Sequence, residues 1–187
     1  MASWPWPSYM DPEARDRGIR VATSSYTRHH VNITMCKAKA NGNYINSILA
    51  LREAMDAGFE EALLLDNEGY VAEGSGENVF LVRDNVLYTP ELTSCLEGIT
   101  RDSIFRIAAD QGLTVKEKRI TRDEVYVADE AFFTGTAAEV VPIREVDHRR
   151  IGTGTRGPVT ETLQRIYLES VRGGQPEYAD WLAPVVN

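Results

Sequence analysis

The chain has 187 residues, enough to bury a substantial core in one domain or two small ones. Its 28 acidic residues against 20 basic ones give a net charge of −8 and a pI near 5.0, which argues against nucleic acid or an anionic membrane surface as the main partner. Two cysteines, Cys36 and Cys95, make neither a disulfide framework nor a zinc spacing, so a reducing compartment is expected and no metal site is.

The opening MASWPWPSYM is aromatic and proline-rich, and it reads as a connector laying aromatics against a surface. It lacks the charged start and long apolar run of a signal peptide, and no segment reaches membrane-spanning length, so the chain reads as cytoplasmic. Ile19 to Thr23 alternates like a strand. His29 and His30, beside Arg28, and His148 in the run Asp147 to Arg150 read as surface residues. Ile45, Ile48, Leu49 and Met55 recur at helical spacing, predicting a helix from Tyr44 to Ala57 that Gly58 stops. A strand over Glu61 to Asp66 closes at the turn Asn67-Glu68-Gly69, and Tyr70 to Glu73 runs into the bend Gly74-Ser75-Gly76. Asn78 to Val82 and Val86 to Tyr88 flank Asp84-Asn85 as a hairpin. Thr100 is placed as N-cap of a helix over Arg101 to Gln111 that Gly112 ends. A strand over Leu113 to Arg119 and a short helix over Thr121 to Val127, with Glu124 three residues after its cap, come next. Ala131 to Phe133 and Val140 to Val146 read as strands, and Pro158 opens a last helix to about Val171. The mixed order predicts α and β elements in one layered domain.

Three loops share one kind of chemistry. Gly98-Ile99-Thr100 opens a helix, where free backbone N–H groups and the dipole favour an anion. Thr134-Gly135-Thr136-Ala137 follows a strand and offers hydroxyls on a flexible backbone. Ala72 to Asn78 places Glu73 where a strand breaks into glycines. Each of these is also met by an ordinary cap or a solvated carboxylate. Beside them stand two lysines, Lys37 and Lys39, in the run Lys37 to Ala50, and by residue type alone both are ordinary solvated charges. A reactive lysine, an acid and two phosphate-grade termini in one chain suggest pyridoxal 5'-phosphate. That cofactor needs an amine, an anion cradle and a charged partner for its pyridine nitrogen.

The strings Lys39-Ala40-Asn41-Gly42-Asn43-Tyr44, AEGSGENVFLV, LEGITRDSI, YVADEAFFTGTAAEVVPI and IGTGTRGPVTETLQ, in that order, resemble the branched-chain aminotransferases of the class IV, fold-type IV pyridoxal-phosphate enzymes. The resemblance runs from about Trp4 to the C-terminus. It implies the cofactor-bearing C-terminal domain of the D-amino-acid-aminotransferase-like fold, a mixed-sheet pseudo-barrel with surrounding helices, over residues 19–187. Residues 1–18 would be interdomain connector, and the family's N-terminal domain is not part of this sequence.

By the same matching, Lys39 is the catalytic lysine that bonds the cofactor, and Lys37 keeps its ordinary reading. Tyr44 would hydrogen-bond the cofactor's phenolic oxygen and Glu73 would keep the pyridine nitrogen protonated. Leu96 would pack on the ring face, while Ile99 and Thr100 would give backbone N–H groups to the phosphate. Thr136 would add its hydroxyl and N–H, with Asn78 in support. Ala137, with Thr136, would lie where the substrate carboxylate is received, and Tyr26 would form an aromatic wall of the side-chain pocket. Arg101 is expected to face away from the phosphate. The implied reaction is transamination of leucine, isoleucine and valine with 2-oxoglutarate. Lys39, once displaced, would move a proton between the substrate Cα and the cofactor C4′. The resemblance also implies a homodimer or higher oligomer, a complementing N-terminal domain, and no nucleic acid or membrane partner. A D-amino-acid transaminase, an aminodeoxychorismate lyase and a non-catalytic module stay open as alternatives.

Overall fold

The computed structural model describes residues 13–183, so most of the expected connector lies outside the described residues. The described chain begins at a helical turn, α1 (Ala14–Arg17), followed by β1 (Ile19–Thr23), whose Ile19 and Val21 are buried in the expected alternation. An irregular stretch leads through a 3₁₀ turn at Asn41–Tyr44 into α2 (Ile45–Asp56). Then come β2 (Glu61–Leu65), β3 (Val71–Gly74), β4 (Asn78–Arg83) and β5 (Val86–Thr89). Asp84 and Asn85 both adopt positive φ (52° and 60°), the conformation of the tightest hairpin turns, as their residue types predict. The remainder is α3 (Ile99–Asp110), β6 (Thr114–Glu117), α4 (Arg122–Tyr126), β7 (Glu130–Gly135), β8 (Glu139–Val146), β9 (Arg149–Arg150) and α5 (Pro158–Ser170). A 3₁₀ segment, Pro176–Trp181, closes it.

The nine strands form one mixed sheet in the order β3-β2-β1-β8-β7-β4-β5-β6, with β9 added on β8. β1 pairs in parallel with β2 and β8, and β5 with β6, while the remaining pairs are antiparallel. The end strand β3 returns to the interior strand β4, where Gly74 N–H donates to the Glu77 carbonyl at 2.7 Å. The sheet thus curls towards closure, and the β3–β4 bend becomes the floor of the site.

β4 is a continuous apolar run because both of its faces are covered. Val79 and Leu81 pack inside the curl with Leu63, Phe133 and Ile143. Phe80 and Val82 pack outward under α3 and α5 against Ile104, Ile107, Phe132 and Leu163, with the Phe80 and Phe132 rings stacked at 5.1 Å. Each such fully buried side chain contributes about 1.5–3 kcal/mol. The Glu130 carboxylate accepts from the Val159 and Thr160 N–H groups (3.0 and 2.7 Å), supplying the anion that the uncapped start of α5 favours.

Four expectations need correction. The apolar stripe that signalled α2 is not the face it buries. Ser47, Ala50 and Ala54 meet the sheet, while Ile45 (61% exposed), Ile48 (64%) and Met55 (56%) face out. Small residues let α2 lie close to β2, and the larger ones are left for another surface. Gly98, not Thr100, is the N-cap of α3, so the helix begins one residue before Thr100. The strand after α3 is confined to Thr114–Glu117, where it pairs with β5. His29 is half-buried, with Nε2 enclosed and without a partner among the described residues, and its basic neighbour Arg28 is 3% exposed.

Candidate active site

The 3₁₀ turn at Asn41–Tyr44 brings Tyr44 back towards the stretch before it, and Lys39 Nζ donates to Tyr44 Oη at 2.8 Å. The Asn43 side-chain amide fixes this loop by donating to the Met35 and Ala38 carbonyls, both at 2.9 Å. Lys37, expected to be an ordinary surface charge, lies in the wall of the same cavity. Its ammonium donates to the carbonyls of Leu92 and Cys95, and Glu97 is 3.8 Å away. It therefore ties the Lys39 segment to the segment that carries Leu96.

Glu73 sits near the end of β3, 6% exposed. Its Oε1 pairs with Arg28 Nε at 2.8 Å, and its Oε2 accepts from the Leu96 N–H at 3.2 Å. The Leu96 carbonyl in turn accepts from Asn78 Nδ2 at 2.9 Å. One backbone unit is thus held between Glu73 and Asn78. Gly98 completes the joint, since a Cβ there would lie 2.1 Å from Asn78 Oδ1. Burial pushes the Glu73 carboxyl up to about 7, while the Arg28 guanidinium, the Leu96 N–H and the two lysine ammoniums pull it back towards ionisation. Burial and the nearby Glu73 carboxylate push the Cys95 thiol up to about 12, which leaves it an unreactive core residue.

The first turn of α3 has no side-chain cap at Gly98, so the N–H groups of Ile99 and Thr100 have no partner within the helix. Both residues line the cavity, as do Thr134, Gly135 and Thr136. Thr134 Oγ1 is buried without a hydrogen-bond partner among the described residues, whereas Thr100 Oγ1 lies 3.3 Å from Tyr167 Oη. Arg101 turns the other way, towards the Pro90 carbonyl and the Glu117 carboxylate.

The cavity measures about 300 Å³. Of the expected site residues it gathers Lys39, Tyr44, Glu73, Asn78, Leu96, Ile99, Thr100 and Thr136. Ala137 instead lines an adjoining cavity of about 250 Å³ with Tyr44, Ile48, Leu51 and Ala138. Tyr26 lines neither cavity and is 39% exposed. Arg28 is a further functional group here that sequence patterns do not single out, while Glu77 and Thr134, inside two of the loops already marked, have no role of their own in the resemblance. Arg28 is a lone basic residue whose partner Glu73 is distant in the chain, and Glu77 is distinguished only by its burial. An amine beside a phenol, a buried ion-paired carboxylate, helix N–H groups without intrahelical partners and a hydroxyl without a partner among the described residues suit a flat nitrogen-containing ring that carries an anionic group.

The family described as amino-transferase class IV matches residues 1–146. A branched-chain-amino-acid aminotransferase of Pseudomonas aeruginosa is 63% identical over 181 residues, which is 97% of this chain and 59% of that protein. The one from Escherichia coli K12 is 42% identical, over 99% of this chain and 60% of that protein. The crystal structure of a T.th. branched-chain amino acid aminotransferase with pyridoxamine 5'-phosphate superposes with a TM-score of 0.92 at 56% identity, over 96% of this chain and 59% of that one. An Escherichia coli branched-chain amino acid aminotransferase structure gives 0.94 at 42% identity, over 98% of this chain and 60% of that one. The chain thus spans about three-fifths of these relatives' length, and it has the fold-type IV architecture of the structures it matches. The chain belongs to the class IV aminotransferase family.

Proposed function

We propose that this chain is the pyridoxal-phosphate-binding part of a branched-chain amino-acid aminotransferase, transferring the amino group of leucine, isoleucine or valine to 2-oxoglutarate. The observation that carries the reading is the Lys39 Nζ–Tyr44 Oη contact in a cavity shared with the Arg28-paired Glu73 and the open N-terminus of α3. The names of the relatives support the substrate class.

The bound cofactor supplies a ring that stores the electron pair released at the substrate Cα. The protein's part falls to particular side chains. Lys39 would hold the cofactor, and its amine, when free, would move the proton at the substrate Cα. Tyr44 donates to the phenolic oxygen and keeps Lys39 oriented. Glu73, held by Arg28, bonds the protonated ring nitrogen, a charge-assisted hydrogen bond worth about 1.5–3 kcal/mol. The Ile99 and Thr100 N–H groups and Thr136 take the phosphate, Leu96 covers the ring, and Asn78 fixes Leu96. Thr136 and Ala137 receive the substrate carboxylate, and Tyr26 enters the side-chain pocket once a neighbouring domain or subunit closes it.

That closure follows from the exposed apolar side chains. Ile33 (72% exposed), Met35 (80%) and Ile99 (81%) stand out with the outward face of α2. Such a surface suits an N-terminal domain and a second subunit, so residues 1–18 act as connector and 19–187 as the cofactor domain of a dimer or larger oligomer. Among the described residues no helix is long and apolar enough to cross a membrane, and we assign the protein to the cytoplasm.

The test is an absorbance titration with pyridoxal phosphate, followed by borohydride reduction and peptide mapping. A visible or near-ultraviolet band and a pyridoxyl label on Lys39 are expected. A label on Lys37, or no label, overturns the reading.

A further inference from the structure

Two carboxyls beneath the site have no part in the roles above. Glu61, on β2, is 0% exposed, and its Oε1 accepts from the Ala62 N–H at 2.7 Å and the Ser75 N–H at 3.3 Å. Its Oε2 is buried with no hydrogen-bond partner among the described residues. Glu77, in the β3–β4 bend, is 4% exposed, lines the cavity with Lys39, and its Oε2 accepts from the Gly76 N–H at 3.0 Å.

Charge neutrality decides what two such groups can do. Among the described residues neither forms an ion pair. Arg28, the buried cation nearby, is committed to Glu73. The charged groups acting on Glu77 are Glu61 from β2, Glu73 from β3 and the Lys39 ammonium, so two carboxyls oppose one exposed cation. Glu61 has only hydrogen bonds from Ala62 and Ser75 against its burial, and its carboxyl is held above the ordinary range. Burial, then the Glu61 carboxyl, push Glu77 up to about 8. Among the described residues no group of three acidic, His or Cys side chains is arranged to hold a metal ion, so a cation does not resolve the repulsion.

The two carboxyls, both buried and without an ion pair among the described residues, accept from the adjacent Ser75 and Gly76 N–H groups of one bend. We propose that together they retain one proton at neutral pH, with Glu61 a positioning residue that keeps the remaining negative charge off Glu77, the carboxyl lining the cavity with Lys39. A fully ionised pair would stabilise the Lys39 ammonium and withhold the free amine. With a proton retained, Glu73 and its Arg28 partner remain the one balanced ion pair under the cavity. Replacing Glu61 with glutamine removes the neighbouring carboxyl, lets Glu77 ionise at lower pH, and makes Lys39 more basic. The relevance to catalysis rests on the reading of Lys39 given above. The charge state itself is measured without cofactor, so the two can fail separately.

The experiment uses the 187-residue chain without cofactor. Infrared spectra across pH 5 to 10 should contain a protonated-carboxyl stretch at pH 7 that persists in Glu73→Gln, where Glu73 itself no longer contributes, and is lost when Glu61→Gln and Glu77→Gln are added to Glu73→Gln. Absence of the band from the Glu73→Gln chain, or its survival in the triple variant, overturns the proposal. Should the triple variant fail to fold, carboxyl-carbon NMR of the Glu73→Gln chain decides instead. A glutamate titrating near pH 8 upholds shared protonation, and titration of every glutamate below pH 6 rejects it. For Lys39, the rate of acylation by a small amine-reactive reagent, mapped by mass spectrometry, should fall by roughly twofold or more at pH 7.5 in Glu61→Gln, because the single negative charge of the pair then sits on Glu77, the carboxyl that lines the cavity. An unchanged rate removes the positioning role.

Discussion

Arg28 Nε lies 2.8 Å from Glu73 Oε1, with the two side chains 3% and 7% exposed. The guanidinium also lies within 3.3–3.4 Å of the Ser94 and Asn43 carbonyls and Ser47 Oγ, so one buried cation joins β3, α2 and the loop before α3. Removing one member of a buried pair leaves the other uncompensated and typically costs about 3–5 kcal/mol. Arg28→Met should therefore lower the urea-unfolding free energy by about that amount at pH 8. The loss should shrink at pH 5, where Glu73 can take up a proton. An equal loss at both pH values would mean that the cost is packing and not charge.

The acidic floor sets a pH dependence for the chain without cofactor. Folding raises Glu73 from 4.5 to about 7 and Glu77 from 4.5 to about 8. Between those values the folded state binds more protons than the unfolded one, so these groups favour folding at low pH and lose that contribution as pH rises. Chemical denaturation should give lower stability at pH 8.5 than at pH 5.5. Glu77→Gln should flatten the slope, and a stability that rises over this interval would contradict the assignment.

Gly98 has an ordinary φ of −71°, so its requirement is for space and not for backbone freedom. Gly98→Ala forces a methyl onto Asn78 Oδ1 and should break the Asn78–Leu96 hydrogen bond, destabilising the chain by about 1–3 kcal/mol. In an Asn78→Ala background the same change should cost much less. Additive effects in that cycle would dismiss the clash as the cause.

Lys37→Ala should cost only about 1 kcal/mol, because the side chain is partly solvated. The expected signature is local, namely faster amide hydrogen exchange at Thr93 to Leu96 without a matching change in β4. Uniform exchange would mean that Lys37 does not hold this loop.

Ile48→Lys places a charge on the outward face of α2, where the native side chain is 64% exposed. Monomer stability should change by less than about 0.5 kcal/mol, while self-association measured by sedimentation should fall sharply. A large loss of stability with unchanged association would move that face into the core.

Much of this protein was legible in the order of its residues. Period-2 and period-3.6 patterns placed most strands and helices, because burial of one face is imposed locally along each element. The ordered motifs around Lys39, Glu73, Gly98 and Thr136 marked loops whose residue types suit an anion and a ring, and the structure gathers those four segments at one cavity. Only the tertiary structure decided which face of α2 is inner. Its periodicity reports an apolar stripe but not what covers it, and the sheet accepts the small residues Ser47, Ala50 and Ala54. Arg28, Lys37, Glu61 and Glu77 were equally hidden. A charged side chain in a string is by default a solvated one, and its burial, or for the exposed Lys37 its tie to the Leu92 and Cys95 carbonyls, depends on partners distant in the chain that only the fold brings near.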